Sequence, residues 1–241
     1  MDGEGPSGWG APLHAAVLDA TAVGPGTTLL DLGCGGGAFA RAAADRGARV
    51  TGIDLDPAAV GRAAVAVPEG AFAVGYAEHP PPGPFDVVAL VQLLMHVADP
   101  AAVLAAAARS ASVVAATVWG RQEECDIRVF GEALAPWLGP RPPDGRPTVT
   151  DPDRLRAIAE RAGLVVERMQ EVVCPFDYAD EDELLGPLFD SALGRAVGRQ
   201  VGPVALRAAV LEGVQPYRTT AGGYRLNNLF RVLVARPGAA T

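Results

Sequence analysis

Leu29-Leu30-Asp31-Leu32-Gly33-Cys34-Gly35-Gly36-Gly37-Ala38 is the stretch of this 241-residue sequence from which the rest can be read. It joins an apolar run that reads as a buried strand, 27–32, to an Ala-rich segment, 36–47, that reads as a helix with Phe39, Ala43 and Ala44 on one side. Glycines at such a junction let the backbone turn sharply and approach a ligand that a Cβ would block. The helix start behind them offers unpaired N–H groups. Gly33, Gly35 and Ala38 also satisfy the GxGxxA spacing of a dinucleotide site. Asp31 weighs against that use, because a carboxylate at the strand end repels a pyrophosphate. A ligand with a cationic amino-acid end and no phosphate would tolerate it or use it. Asp31 could also serve as a helix-capping carboxylate.

The same alternation continues outward. Strands are expected at 49–53, 71–74, 85–91 and 112–118, and Asp56-Pro57 and Asp99-Pro100 each place Asp at the N-cap and Pro at the first position of a helix. Strand and helix alternating at this spacing predict a parallel sheet with right-handed crossovers. The character changes at Gly120. Residues 121–138 read as helical, 140–147 as a Pro/Gly/Arg loop, and Asp151-Pro152 as the cap of a helix ending at Gly163. Further strands are expected at 164–173 and 229–235, and two or three short helices in 180–213, broken by Gly186-Pro187 and Gly202-Pro203.

Composition narrows the chemistry. The net charge is −8, and every basic residue is Arg, so a Lys Schiff base, a Lys general base and a P-loop Lys are excluded. A chain this acidic, with no Arg cluster, is not expected to bind nucleic acid. Cys34, Cys125 and Cys174 are widely spaced and suggest neither disulfides nor a zinc site. His14, His79 and His96 form no HxH or HxxxH pair, so no metal is expected. No basic segment followed by an apolar run opens the chain, and no apolar run is long enough to cross a bilayer. These features predict a cytoplasmic protein without a membrane partner, a monomer or a homodimer.

Asp31-x-Gly33-x-Gly35-x-Gly37 resembles motif I of the class I S-adenosylmethionine (SAM)-dependent methyltransferases. The surrounding segments resemble the small-molecule group that includes the quinone-methyltransferase-like, or type 11, proteins. The resemblance covers 9–119 with ordered motifs and 150–235 loosely. It implies an α/β, Rossmann-like, seven-stranded, mostly parallel sheet with helices on both faces and a helical substrate cover. Residues 1–120 would form the SAM-binding half of a single domain. Residues 121–241 would supply the last two strands and the inserted segments over the substrate. The implied cofactor is SAM, with S-adenosylhomocysteine as product. Asp54, closing Gly52-Ile53-Asp54, matches the acid that bonds both ribose hydroxyls, and a carboxylate suits two O–H donors at once. Asp54 could also be a plain turn residue before Asp56-Pro57. Leu55 would border the adenine. Gly75-Tyr76-Ala77-Glu78 stands where the family often has Gly-Asp-Ala-Glu, so Tyr76 departs from the pattern and the Ala77 backbone is left to read the ring. Phe85-Asp86-Val87-Val88 matches the fourth strand, and Gln92 to His96 the segment facing methyl donor and acceptor. The cofactor residues implied are thus Asp31, Gly33, Cys34, Gly35, Gly37, Asp54, Leu55, Tyr76, Ala77, Glu78 and Gln92. Cys34 reads as a small packed residue rather than a nucleophile.

Methyl transfer from a sulfonium requires alignment, exclusion of water and the management of one proton. His96, just past the fourth strand, is the first candidate base, or else a residue packing the following turn. His14, in an amphipathic segment at 12–22 that would cover the SAM pocket, is a weaker one. Tyr224 is the second catalytic candidate, since without Lys a proton must go to His, Tyr, a carboxylate or water. Most large aromatic residues follow Gly120 or stand just before it, which suggests a cover for a hydrophobic acceptor. Trp119, Phe130, Tyr178 and Tyr217 are candidate acceptor contacts, with Arg218 and Arg225 beside a Gly222-Gly223 turn that would bring two Tyr-Arg pairs together. These Arg residues could bind an acceptor carboxylate or neutralise Asp177, Asp180, Glu181, Asp182 or Glu183.

The expected function is SAM-dependent methyl transfer to a hydroxyl, carbon or amine of a hydrophobic metabolite, in specialised metabolism. The alternatives are a non-methylating or non-catalytic use of the SAM pocket, and an NAD(P)-linked oxidoreductase. Methylation of rRNA or tRNA is disfavoured by the charge. It is also disfavoured by Val91-Gln92-Leu93-Leu94, where amino-group nucleic-acid methylation would need an Asn-Pro-Pro-Tyr-type motif.

Overall fold

The computed structural model describes residues 5–138 and 149–238; the loop expected at 140–147 lies outside them. β1 (Thr28–Leu32), β2 (Arg49–Asp54), β3 (Ala71–Val74), β4 (Phe85–Val91) and β5 (Ala111–Trp119) run parallel. β6 (Leu164–Tyr178) and β7 (Tyr224–Pro237) complete one seven-stranded sheet in the order β3-β2-β1-β4-β5-β7-β6, with β7 antiparallel to both neighbours. This is the Rossmann-like, mostly parallel sheet expected.

Helices cover both faces. Leu13, Val17 and Leu18 of α1 (Ala11–Ala20) and Phe39, Ala40 and Ala43 of α2 (Ala38–Asp45) join one core layer. α3 (Pro57–Ala66) packs along β2 and β3. On the opposite face, Val103, Leu104 and Ala107 of α4 (Pro100–Ser110) meet Leu155, Ile158 and Ala159 of α6 (Pro152–Arg161). All three Asp-Pro caps form. Asp56 accepts from the Ala58 N–H, Asp99 from Ala102, and Asp151 from Asp153 and Arg154. Each cap satisfies a donor that the first turn leaves unpaired, worth about 1 kcal/mol.

Past Gly120 the chain departs from expectation in three places. The helix expected over 121–138 is a 3₁₀ turn (Gln122–Glu124), α5 (Arg128–Leu134) and a second 3₁₀ turn (Ala135–Trp137). The segment 180–213 forms α7 (Glu181–Asp190), α8 (Ala192–Val201) and α9 (Pro203–Val214), but Gly186-Pro187 does not separate the first two. Pro187 lies inside α7, and the break falls at Ser191, whose hydroxyl donates to the Leu188 carbonyl and accepts from the Gly194 N–H. The last two strands are also longer than their apolar runs. β6 and β7 pair continuously to the Tyr178–Tyr224 position, whereas β5 stops at Trp119 opposite Phe230. The far part of the β6–β7 pair therefore stands beyond the end of β5. Its buried residues Cys174, Phe176, Tyr178, Tyr224 and Leu226 pack with Leu184, Val197, Leu206 and Val210 of the cover helices.

Candidate functional site: a cleft at the C-terminal edge of the parallel strands

β1 and β2 end side by side, and the chain after β1 turns over the end of β2. The Gly33 and Cys34 N–H groups both donate to the Ile53 carbonyl, at 2.8 and 3.0 Å. The turn needs glycine at Gly33: its φ is +73°, and a Cβ there would stand 2.8 Å from Leu93 Cδ1. At the end of β2, Asp54 Oδ2 accepts from the Gly35 N–H and Oδ1 from the Asp56 N–H, both at 2.9 Å. Two backbone donors thus fix the carboxylate and leave further lone pairs on both oxygens.

These loops wall a cleft of about 650 Å³. Of the residues read from the sequence, Asp31, Gly33, Cys34, Gly35, Asp54, Leu55, Tyr76, Ala77, Glu78, Gln92 and His96 line it, and so does His14 from α1. Trp9, ahead of α1, and Arg62 of α3 also line it and were not anticipated. Neither lies in a periodic pattern or a recognisable motif, so only the packing of distant segments places them there.

The cleft's electrostatics are unbalanced. Asp31 is fully buried, and its Oδ2 has no hydrogen-bond partner among the described residues. Burial, with the charge of Asp54 behind it, pushes the Asp31 carboxyl up to about 7. Burial and the same two carboxylates push the Cys34 thiol up to about 12, so it is held protonated and is no nucleophile. Burial holds His14 down at about 4, so its imidazole is neutral; it meets the edge of Phe39 at 5.6 Å. Gln92 has a strained backbone, with φ +55°. Its N–H and its side-chain Nε2 both donate to Thr117 Oγ1 at 2.9 Å, and its buried Oε1 has no partner among the described residues. The His96 N–H donates to the Leu93 carbonyl at 2.9 Å, which holds the turn carrying the imidazole.

Several expected site residues lie elsewhere. Gly37, the N-cap of α2, has φ +86°, and a Cβ there would stand 2.8 Å from Ala63 Cα. Its smallness serves the packing of α2 on α3, not the cleft lining. Tyr224 is buried within the cover, its hydroxyl unpartnered among the described residues, and it does not line the cleft; β7 continues past its apolar run and carries this ring inward. The Gly222-Gly223 turn does bring Arg218 back onto Tyr224. Arg225, however, is bound by Asp177 through two contacts of 2.6 and 3.0 Å, so it neutralises that cross-strand neighbour. Tyr178 is buried in the cover core, Phe130 packs against it, and Tyr217 hydrogen-bonds Asp126. Trp119 lines a second cavity rather than the cleft. Among the described residues, no group of three His, Cys, Asp or Glu side chains could hold a metal ion, and no helix is long and apolar enough to cross a membrane.

Comparison with known proteins shows the family and the fold. Residues 11–168 match the methyltransferase domain family. The ubiquinone biosynthesis O-methyltransferase of Pseudomonas paraeruginosa is 35% identical over 167 residues, covering 65% of this chain and 72% of that one. Among solved structures, the [4+2]-cyclase SpnF superposes with a TM-score of 0.56 at 20% identity, over 95% of this chain and 81% of that one. A Haemonchus contortus phosphoethanolamine N-methyltransferase in complex with S-adenosylhomocysteine superposes with a TM-score of 0.56 at 19% identity, over 97% of this chain and 54% of that one. At these identities the two structures speak for the fold alone. The family match sets aside the oxidoreductase reading of the glycine spacing. The chain belongs to the methyltransferase domain family and is a class I SAM-dependent methyltransferase of the kind that acts on small molecules.

Proposed function

We propose that this enzyme methylates a hydroxyl group of a hydrophobic small molecule, with Asp31 and Asp54 holding the donor and His96 accepting the proton. The observation that carries this reading is the buried, unpartnered Asp31 oxygen in a cleft whose rim bears the His96 imidazole. The residues present fit SAM. An anion stripped of water and without a cation calls for a positively charged ligand. The oxygens of Asp54 retain lone pairs for a pair of ribose hydroxyls. Leu55 and Tyr76 are 58% and 62% exposed at the cleft, bare apolar surface of the kind a flat adenine ring covers. The volume, about 650 Å³, lies in the ordinary range for a cofactor site.

SAM, when bound, supplies a methyl group already activated on a sulfonium. The chain's own tasks are then few. Asp31 offsets the cationic amino-acid end, and the Gln92 amide oxygen offers an acceptor beside it. The neutral His14 and the ring of Phe39 exclude water from one wall. His96 takes the hydroxyl proton as general base. The relatives' name, ubiquinone biosynthesis O-methyltransferase, supports a hydroxyl acceptor. Three buried, unpaired cysteines suit a reducing compartment, and we place the enzyme in the cytoplasm as a monomer or homodimer.

Labelled SAM offered with a panel of phenols tests the reading. Methyl transfer is expected, and His96→Ala should lower its rate about a hundredfold with S-adenosylhomocysteine affinity unchanged. An unaltered rate in His96→Ala would remove the base. No transfer to any phenol, with donor binding intact, would favour a non-methylating use of the pocket.

A further inference from the structure

Four aromatic rings meet at the end of β5. The Trp9 indole stacks on Phe230 with 5.1 Å between ring centroids and on Trp119 with 6.3 Å, at interplanar angles of 27° and 23°. It meets Phe176 at 5.2 Å. Trp119 in turn lies 4.3 Å from Phe230 and meets Phe176 edge-on at 5.8 Å. Three of these rings are fixed by the sheet. Trp119 and Phe230 are register partners, and Phe176 is buried on β6. Trp9 is held differently, in a turn ahead of α1 closed by its own N–H on the Pro6 carbonyl and the Ala11 N–H on Gly8.

Trp9 lines the donor cleft, whereas Trp119 lines a second cavity of about 650 Å³ together with Gly120, Cys125 and Ile127. The stacked indoles therefore stand between two spaces of similar size. Both spaces are lined from the C-terminal ends of neighbouring parallel strands, one by Val91 at the end of β4 and the other by Trp119 at the end of β5.

We infer that the Trp9 indole occupies the seat of the acceptor's ring. A planar aromatic acceptor enters from the second cavity, displaces Trp9, and stacks on Trp119 and Phe230 beside the methyl donor. The exchange is of like for like. Phe176 and Phe230 are fully buried with Trp9 in place, and its departure would uncover the ring surfaces it covers. A saturated or branched acceptor could not restore the stacked contacts that Trp9 gives up. The inference rests on the donor cleft being as described and adds the acceptor's class and the residue that competes with it.

The test uses the full chain saturated with S-adenosylhomocysteine and titrated calorimetrically with 2-naphthol, with decahydro-2-naphthol as the saturated control. Naphthol should bind at least about fivefold more tightly than the control, and Trp9→Leu should bind it about two- to tenfold more tightly than the native chain does. Trp9→Phe should fall between them. Weaker or unchanged naphthol binding in Trp9→Leu, equal binding of the saturated control, or no naphthol binding to any variant would overturn the inference. S-adenosylhomocysteine binding, measured first on each variant, reports folding and an intact donor site. Its absence from the native chain would instead refute the donor cleft itself.

Discussion

Asp31 and the glycines beside it show how much a single position in this turn can decide. Gly35 and Gly37 belong to one motif, both with positive φ, yet they meet different surroundings. Gly35 has no atom within 4 Å of a built Cβ and lines the cleft, while Gly37 would drive its Cβ to 2.8 Å from the Ala63 backbone. Gly37→Ala should therefore lower stability by about 1–3 kcal/mol, read as a drop in Tm. Gly35→Ala should cost about 1 kcal/mol but weaken S-adenosylhomocysteine binding more than Gly37→Ala does. Equal losses of affinity in the two would contradict this division of roles. The sequence reading treats both glycines as one motif because spacing does not reveal what stands opposite each Cα. It places Asp54 at the end of a strand, where the fold has it lining the cleft, because the acid follows directly on an apolar run. It misplaces Tyr224 because the apolar run of 229–235 hides how far β7 continues.

At the scale of elements, the β6–β7 pair is the least legible from sequence and the most consequential. Asn227 and Asn228 interrupt its apolar run, which hides the strand. In the fold Asn228 is buried with its Oδ1 accepting from the Ile127 N–H, and the Asn227 N–H donates to Asp126. The polar residues tie α5 to the strand instead of ending it. Arg231 does the same for the 3₁₀ turn after β5. It is 2% exposed and contacts Glu124 at 2.7 Å, Glu171 at 3.0 Å and the Thr150 carbonyl. Its partners are not buried alike: Glu124 and Glu171 are 26% and 59% exposed. If the guanidinium is removed, the carboxylates regain water. If Glu124 is removed, a buried cation loses its nearer partner. Arg231→Met is therefore expected to cost about 1 kcal/mol or less, and Glu124→Leu about 2 kcal/mol or more. The reverse order in denaturant midpoints would show that the buried cation is not the costly member. The Asp-Pro caps, by contrast, are fully legible because each is a local event, with the Asp side chain bonding N–H groups two or three residues on.

For the whole molecule, pH acts through opposed groups. Asp31 is raised in the fold, so the stability it allows is full below the unfolded carboxylate range near 4 and is lost as pH rises towards about 7. Asp86, Glu124 and Asp151 are lowered by hydrogen bonds from Thr28, Arg231 and Arg121 respectively, so their contribution is present above that range and lost as pH falls through their folded values. Burial lowers His14 to about 4, so its contribution is present above its unfolded range near 6.5 and lost as pH falls, opposing that of Asp31 over the same window. The Tm of the free protein is thus expected to change little between about pH 4 and 6.5, and Asp31→Asn should gain stability relative to the native chain as pH rises from about 4 to 7. A Tm difference between the two proteins that does not change with pH would place the effect elsewhere. The net charge of −8 and the absence of Lys bear on the same scale. Of the two imidazoles lining the cleft, His14 is packed against Phe39, which is why the acceptor chemistry is assigned to His96.

The proposed function depends on the cleft between the ends of β1 and β2 being the methyl-donor site. Calorimetric titration with S-adenosylhomocysteine of the native chain and of Asp54→Ala tests that most directly. The native chain should bind one equivalent, and Asp54→Ala, folded but with a Tm lowered by the loss of its bonds from the Gly35 and Asp56 N–H groups, should bind about a hundredfold more weakly, because two hydrogen bonds from the ligand to a charged acceptor are lost. Equal affinity in the two proteins would contradict the assignment.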